Sequence, residues 1–183
     1  FISIYHNYDM SDYEKALCVF DWICYNTQYD YYSITYSNDD IMRDPCFYLE
    51  GVFMTGYAVC DGFSKAYSLM CNMLGIDAIR IVGYAVNNGS RGGHAWNKVL
   101  LDKNPTDNIP AQYYIVDITW TELSAVENTE ELAHTYFLLS DKDVSSSHIE
   151  FPGRTKYNNY IAPENYYHFT EQKFTYNNVT YDM

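Results

Sequence analysis

The chain has 183 residues and a globular composition, with 48% hydrophobic and 19% charged residues, which is too apolar for a disordered protein. Acidic residues outnumber basic ones by 24 to 11, which gives a net charge of −13. A surface of that sign repels phosphate backbones, so nucleic acid is excluded as an expected partner. No apolar run approaches the ~20 residues that cross a bilayer, so no membrane span is predicted. This length predicts one domain over residues 1–183.

Two helices are predicted from caps and apolar spacing. Ser11 and Glu14 form a capping-box signature, and apolar residues at helical spacing after it predict a helix over 11–27. A second apolar stripe predicts a helix over 60–74, with Gly75 as its C-terminal stop.

Strand signals follow the second helix. The β-branched run Ile79–Val86 predicts a strand, and residues 87–93 read as a turn. His94–Asp102 and Ala111–Thr119 predict two further strands, joined by a polar loop. Weaker signals predict strands at Thr135–Leu139, 166–169 and 172–180, and a short turn capped by Ser140 or Asp141 that leads toward His148.

The strands at 94–102 and 111–119 predict a geometry for one histidine and one aspartate. If the loop is centred between Pro105 and Thr106, residues opposed across the hairpin have numbers that sum to about 211. His94 and Asp117 satisfy that sum, so their β-carbons would lie ~5 Å apart, or ~7–8 Å apart if the register slips by two. A slip of one would place them on opposite faces of the sheet.

Cys60, at the start of the second predicted helix, completes a chemically meaningful set. A helix N-terminus favours the thiolate form of cysteine, a histidine beside it can take the proton, and an aspartate can orient that histidine. We therefore predict Cys60, His94 and Asp117 as catalytic residues of an enzyme that forms a thioester. The backbone N–H of Cys60 is the first oxyanion donor to consider.

Other interpretations of these residues stay open. A cysteine on an apolar helix is often only a buried core residue. A zinc site would use the same groups, but no fourth ligand is evident, and no metal or cofactor is predicted. The five cysteines include no C-x-x-C pair, and pairs on one helix would be ~9 Å or ~16 Å apart, so free thiols are expected.

The remaining candidates have weaker signals. His134, His148 and His168 are expected to be structural or solvent-exposed. Trp96 and Trp120 neighbour His94 and Asp117 in the sequence and are expected to wall the site or fill the core. Some of the 21 tyrosines could form a peptide- or glycan-binding surface.

Three motifs in this order resemble the transglutaminase-like superfamily, in particular its compact bacterial domains, which are distantly related to papain-type cysteine proteases. The motifs are Tyr57–Phe63 (YAVCDGF), Gly93–Asn97 (GHAWN) and Val116–Trp120 (VDITW), within a core of about 56–120. The helix exit and strand at Leu74–Tyr84, the residues Glu14–Ala16 and the later Tyr136–Asp141 are also similar. Many relatives have glycine where this chain has Ala58.

The resemblance implies an α+β fold in which the helix bearing the nucleophile packs on an antiparallel β-sheet, with an additional N-terminal helix. It implies Cys60 as nucleophile, His94 as base and Asp117 as orienting acid. A second oxyanion donor is often an upstream Trp or Gln, and here Trp22 and Gln28 both stay open. The calcium dependence of large animal relatives is not carried over.

The expected function is cysteine-dependent acyl transfer on peptide or protein carboxamides, as a protease, amidase or transglutaminase, with hydrolysis favoured. The alternative is a catalytically silent module that binds peptides or cell-wall material on the same fold, and acyl transfer from a carrier thioester is a third option. The chain begins at Phe1 without a signal-like segment, so we expect it to be a piece of a longer protein. An extracellular or cell-surface location is expected.

Overall fold

A computed structural model describes most of the chain. The described residues are 10–35, 44–103, 108–125, 132, 134–152, 159–167, 173–176 and 179–182. The predicted loop centre at Pro105 and Thr106, and His168, lie outside them. None of the helices in the described ranges combines the length and apolar character needed to span a bilayer.

Helix α1 spans Asp12–Asn26 and begins at the predicted capping box. The Ser11 hydroxyl accepts from the backbone N–H of Glu14, and the Glu14 carboxylate accepts from the N–H of Ser11. Two N–H groups that the first turn leaves unpaired are thereby satisfied. The helix buries one apolar face, formed by Ala16, Leu17, Val19, Phe20 and Ile23.

Helix α2 spans Cys60–Met73 and is preceded by a short parallel strand pair. Strand β1 (Gln28–Tyr29) pairs with β2 (Tyr57–Ala58), with Gln28 opposite Tyr57. Between these strands lie the 3-10 turns Ser33–Thr35 and Pro45–Phe47 and a π-helical turn at Gly51–Thr55. Strand β2 therefore leads directly into the first residue of α2.

Four antiparallel strands form the main sheet, in the order β5-β4-β3-β6. They are β3 (Ala78–Asn87), β4 (Ser90–Leu101), β5 (Gln112–Val116) and β6 (His148–Glu150). A separate hairpin is made by β7 (Lys173–Tyr176) and β8 (Val179–Asp182). The sheet and the helices together make the predicted α+β fold, in which α2 packs on β3 and β4.

The two faces of the sheet bury different side chains. Val116 and Val99 belong to the larger core cluster, which also contains the apolar faces of α1 and α2. Ile115, Ile81 and Trp96 belong to a second cluster. Because side chains alternate along a strand, His94 shares a face with Trp96.

Two strand boundaries differ from the sequence prediction. Strand β4 begins at Ser90 rather than His94, because β3 offers backbone partners to residues 90–93 and the turn needs only Asn88 and Gly89, both with positive φ. The predicted strand 111–119 ends at Val116, where helix α3 (Ile118–Ala125) follows. The Asp117 side chain accepts from the N–H of Trp120, and this cap overrides the β-propensity of Ile118 and Thr119.

The predicted strand at Thr135–Leu139 is also wrong. Residues 135–138 form turns and bends, and Leu139 makes only an isolated bridge to Ile115. Leu138 has a positive φ of 59°, which breaks the extended conformation there. The predicted turn toward His148 is present: Ser140 and Asp143 cap it through mutual hydrogen bonds.

Candidate active site

Cys60 is the first residue of α2, and close packing fixes the backbone around it. Val59, the residue before the helix, is extended, and its side chain makes no capping hydrogen bond. The Val59 side chain therefore provides no hydrogen-bond acceptor for the first N–H groups of α2. Ala58 fits the path without a glycine: it is fully buried, and its carbonyl accepts from the N–H of Asp30 at 2.9 Å. Cys60 itself is half-buried.

His94 and Asp117 are in direct contact. Nε2 of His94 lies 2.6 Å from Oδ2 of Asp117, and both side chains are buried. The predicted register was wrong by two residues, because Lys98 pairs with Ile115 and Asn97 with Val116, a sum of 213. Parity is kept, so the two side chains share a face.

Cys60 interacts electrostatically with the same histidine. After burial and Asp117, the side chain of Cys60 contributes to the raised pKa of His94, and since Asp117 occupies Nε2, Nδ1 is the nitrogen left for the thiol. The structure therefore brings together the three residues that the sequence singled out.

Charge interactions between His94 and Asp117 shift their pKa values in opposite directions. Burial of the ring acts to lower the pKa of His94, but the charge and hydrogen bond of Asp117 outweigh it, and the pKa of His94 is raised. Complete burial acts to raise the pKa of Asp117, but the charge of His94 and hydrogen bonds from His148 and His94 bring that pKa well below its usual range. The pair is therefore stabilised as imidazolium and carboxylate.

His148 is a member of this cluster that the sequence reasoning missed. Its Nε2 lies 2.8 Å from Oδ2 of Asp117, and its side chain is fully buried. The prediction allowed a structural or a solvent-exposed histidine, and the exposed alternative is wrong. No local pattern marks this residue, since its contact with Asp117 depends on β6 pairing with β3.

Aromatic rings enclose the histidines. The centroids of Trp96 and Trp120 each lie 5.9 Å from that of His94, and Trp120 lies 4.6 Å from His148. Tyr136 packs against Trp120 at 5.2 Å. As expected, the two tryptophans wall the site, and their rings keep water away from the buried carboxylate.

The two candidates for a second oxyanion donor have different surroundings. Gln28 is an exposed residue of β1, paired with Tyr57 on the strand that leads to Cys60. Trp22 stacks on Phe53 at 6.1 Å. Of the two candidates, Gln28 is therefore the one that lies on the strand paired with β2, which leads into Cys60.

One set of potential metal ligands coincides with this cluster. His94, Asp117 and His148 offer ligand atoms within 4.8 Å of one another. A tetrahedral zinc ion, at about 2.0–2.2 Å from each ligand, would hold them about 3.4 Å apart. The observed separations of 2.6 and 2.8 Å are those of hydrogen bonds, so a metal would have to spread the cluster.

A second set consists of Asp30, Asp44 and Cys46. The Ser33 hydroxyl lies 2.7 and 2.9 Å from the carboxylates of Asp30 and Asp44, and Asp44 accepts from the N–H of Cys46 at 3.0 Å. These contacts cap the turn at Pro45–Phe47, which accounts for the carboxylates structurally.

Two further sequence candidates lie outside the cluster. His134 pairs with Asp21 at 2.7 Å and ties the segment after α3 to helix α1. All five cysteines are in described residues, and none forms a disulfide, as the spacing predicted.

The family of the chain follows from comparison with known proteins. A family model described as the transglutaminase-like superfamily matches residues 5–124, a range that contains Cys60, His94 and Asp117. The chain belongs to the transglutaminase-like superfamily, as the three motifs indicated.

Curated relatives of this chain are the kyphoscoliosis peptidases of Mus musculus and Homo sapiens. Each is 25% identical over 118 residues, which cover 60% of this chain. The chain spans only 16% of the length of these relatives.

Two solved structures are also similar. One is described as a TGase, with 23% identity, a TM-score of 0.49, and coverage of 75% of this chain and 32% of its own. The other, from Cytophaga hutchinsonii, is provisionally described as a cysteine protease, with 22% identity, a TM-score of 0.39, and coverage of 58% and 31%.

Proposed function

We propose that the protein is a cysteine-dependent acyl-transfer enzyme that acts on peptide or protein carboxamides. The observation that supports this most is the grouping of three side chains: His94 lies 2.6 Å from Asp117, and Cys60, the first residue of a helix, acts on the pKa of the same histidine. Family membership adds to it, because residues 5–124 match the transglutaminase-like superfamily.

In the first half of the reaction, His94 holds the proton of Cys60 and the thiolate attacks the carboxamide carbon. The new C–S bond forms as the carbonyl oxygen takes up negative charge, which the backbone N–H of Cys60 faces. The C–N bond then breaks, the leaving nitrogen takes the proton from His94, and a thioester remains on Cys60.

In the second half, His94 takes a proton from an incoming water or amine, which attacks the thioester carbon. The C–S bond breaks, and the proton returns to the sulfur. Water gives a carboxylic acid and an amine gives a new amide, so hydrolysis and transamidation differ only in the acceptor. Asp117 keeps the imidazolium oriented through both halves without itself taking a proton.

Hydrolysis is the favoured outcome, because water is always available as acceptor. Incubating a peptide library with the protein, with and without a labelled primary amine, separates the products. Cleavage indicates a protease or amidase, and incorporation of the label indicates a transglutaminase. Cys60→Ala is the inactive control, and wild-type protein that gives neither product, although folded, would leave the silent binding module as the better account.

A further inference from the structure

Asp117 has two histidine partners, and the proposed mechanism uses only one of them. Oδ2 of Asp117 lies 2.6 Å from Nε2 of His94 and 2.8 Å from Nε2 of His148. The side chain of His148 has no solvent exposure. A buried carboxylate oxygen with two short contacts to ring nitrogens holds both rings at defined angles.

Backbone and side-chain contacts fix His148 from several directions. Strand β6 pairs it with Ala85 of β3, and its N–H donates to the carbonyl of Val144 at 2.8 Å. Its Nδ1 lies 2.9 Å from the hydroxyl of Ser147. Both ring nitrogens are therefore engaged, and these two contacts orient the ring.

The contact with Ser147 bears on the tautomer of His148. If the Ser147 hydroxyl donates to Nδ1, the neutral ring carries its proton on Nε2, where it can donate to Asp117. The alternative acceptor of that hydroxyl, the carbonyl of Val144, is more distant at 3.2 Å. The shorter contact favours the tautomer in which Nε2 is the donor.

His148 provides one of the two short side-chain contacts that hold the Asp117 carboxylate in place. Oδ1 of Asp117 accepts a long hydrogen bond of 3.3 Å from the N–H of Trp120. Without His148, the carboxylate would keep that bond and the one from His94, and it could rotate. A rotated carboxylate would turn the His94 ring away from Cys60.

We propose that His148 is a positioning residue: by donating its Nε2–H to Oδ2 of Asp117, it holds the carboxylate that orients His94. This inference rests on the proposed function. It extends the Cys60–His94–Asp117 set to a fourth side chain, contributed by the edge strand β6.

Other titratable groups face this carboxylate and enter its pH dependence. Cys60 of α2 interacts electrostatically with His94, and Tyr29 of β1 and Tyr136 of the segment after α3 interact electrostatically with Asp117. Burial first, and then charges that include Asp117, raise the pKa of both tyrosines. The tyrosines therefore stay neutral over the range in which Asp117 titrates.

A matched pair of variants tests the donor role. In His148→Gln the amide nitrogen reaches the place of Nε2, whereas in His148→Asn the amide stops one methylene short of Asp117. His134→Asn is the control, because His134 is an equally buried histidine paired with a different aspartate, Asp21, at 2.7 Å. Thermal unfolding of each variant shows whether it is folded.

The readouts are kcat/KM for peptide hydrolysis and the pH profile of Cys60 alkylation by iodoacetamide, followed by mass spectrometry of each cysteine peptide. We expect His148→Asn to lower kcat/KM by about 10- to 100-fold, the effect of losing one hydrogen bond to a charged group. The acid limb of the Cys60 alkylation profile in His148→Asn should move to higher pH, because Asp117 loses a hydrogen-bond donor that favours the ionised carboxylate. His148→Gln should stay near wild type, and His134→Asn should match it.

The outcomes separate this inference from the proposed function. Wild-type Cys60 that alkylates no faster than the other cysteines would overturn the proposed function. Wild-type Cys60 that is reactive, with a folded His148→Asn whose profile overlays it, would overturn only the positioning role. Equal losses in the Asn and Gln variants would likewise overturn it, since they would show that the ring fills space.

One measurement needs no variant. The nitrogen-15 spectrum of the histidine rings in wild-type protein reports which nitrogen of His148 carries a proton. A protonated Nε2 is expected. A neutral His148 with its proton on Nδ1 could not donate to Asp117, and this result would overturn the inference even if no His148 variant folded.

Discussion

Asp117 lies one residue beyond the end of β5, yet its Oδ2 is 2.6 Å from Nε2 of His94 on the neighbouring strand. The two residues are not cross-strand partners, because the register pairs Asn97 with Val116. Leaving the strand frees Asp117 to cap α3 through Oδ1 while Oδ2 faces the histidines. One carboxylate thus joins the end of the sheet, the start of a helix and the imidazole of His94.

Replacing Asp117 by Asn is expected to lower kcat by about 10³- to 10⁴-fold, because an amide favours the wrong tautomer of the base and carries no charge to stabilise the imidazolium. Steady-state hydrolysis of a cleaved library peptide measures this. Asp21→Asn is the matched control, since Asp21 also bonds a buried histidine, His134. Equal activity of Asp117→Asn and wild type would show that the carboxylate has no catalytic role.

The opposite pKa shifts of His94 and Asp117 predict how stability depends on pH. The folded pKa of Asp117 is below its unfolded value of about 3.9, so its contribution is present above that pH and is lost as the pH falls through the folded pKa. The folded pKa of His94 is above its unfolded value of about 6.5, so its contribution is complete below that pH and is lost as the pH rises through the folded pKa.

Urea unfolding of wild type and His94→Gln at several pH values measures this contribution. The difference in the free energy of unfolding should be largest between about pH 4 and 6.5 and should shrink at both ends. A difference that stays constant from acid to alkaline pH would show that the pair does not titrate differently in the folded state.

Gly62→Ala is expected to destabilise the fold by about 1–3 kcal/mol through overpacking. A β-carbon there would overlap the carbonyl oxygen of Cys46, and relief of the overlap would displace the first turn of α2 together with Cys60. Activity should fall along with stability. Gly92→Ala is the control, because no atom lies within 4 Å of the added carbon; unchanged stability in Gly62→Ala would contradict this packing.

Lys98→Met tests whether the Lys98 side chain stabilises β6 and the segments next to it. The Lys98 ammonium is buried and lies 2.8 Å from both Asp141 and Glu150, and it donates to the carbonyl of Tyr160 at 2.7 Å. Both carboxylates are partly exposed, so water screens the charge that they keep when Lys98 is removed. The substitution should therefore lower the free energy of unfolding by about 1–3 kcal/mol.

Lys15→Met is the comparison for that variant, because Lys15 pairs with Asp12 near the surface, where such a pair contributes about 0–1 kcal/mol. Chemical denaturation of both variants gives the two values. If Lys98→Met were no less stable than Lys15→Met, the buried ammonium would not be holding these segments together.

Local signals in the sequence were enough to place helices α1 and α2 and to assign Cys60 and His94 to their elements. The capping box at Ser11 and Glu14 and the stop at Gly75 have local physical causes, and they gave the two helix positions closely. The contact between His94 and Asp117 needed only parity, which alternation along strands supplies. The α+β fold followed from these elements and from the resemblance.

The features that were missed depend on contacts between distant segments. The extra residues of β4 are extended because β3 lies beside them, and helix α3 begins where Asp117 can cap it. His148 lies in the site only because the edge strand β6, which is far from β3 in the sequence, pairs with β3. No periodicity within either segment carries that information.

The reactivity of Cys60 relative to Cys18 shows whether Cys60 is the nucleophile. Both thiols are half-buried, but burial and nearby acidic groups raise the pKa of Cys18 to about 12, whereas Cys60 interacts electrostatically with His94. At pH 6, iodoacetamide should modify Cys60 at least about tenfold faster than Cys18, and His94→Gln should abolish that preference. Equal rates for the two cysteines in wild-type protein would contradict a nucleophilic Cys60.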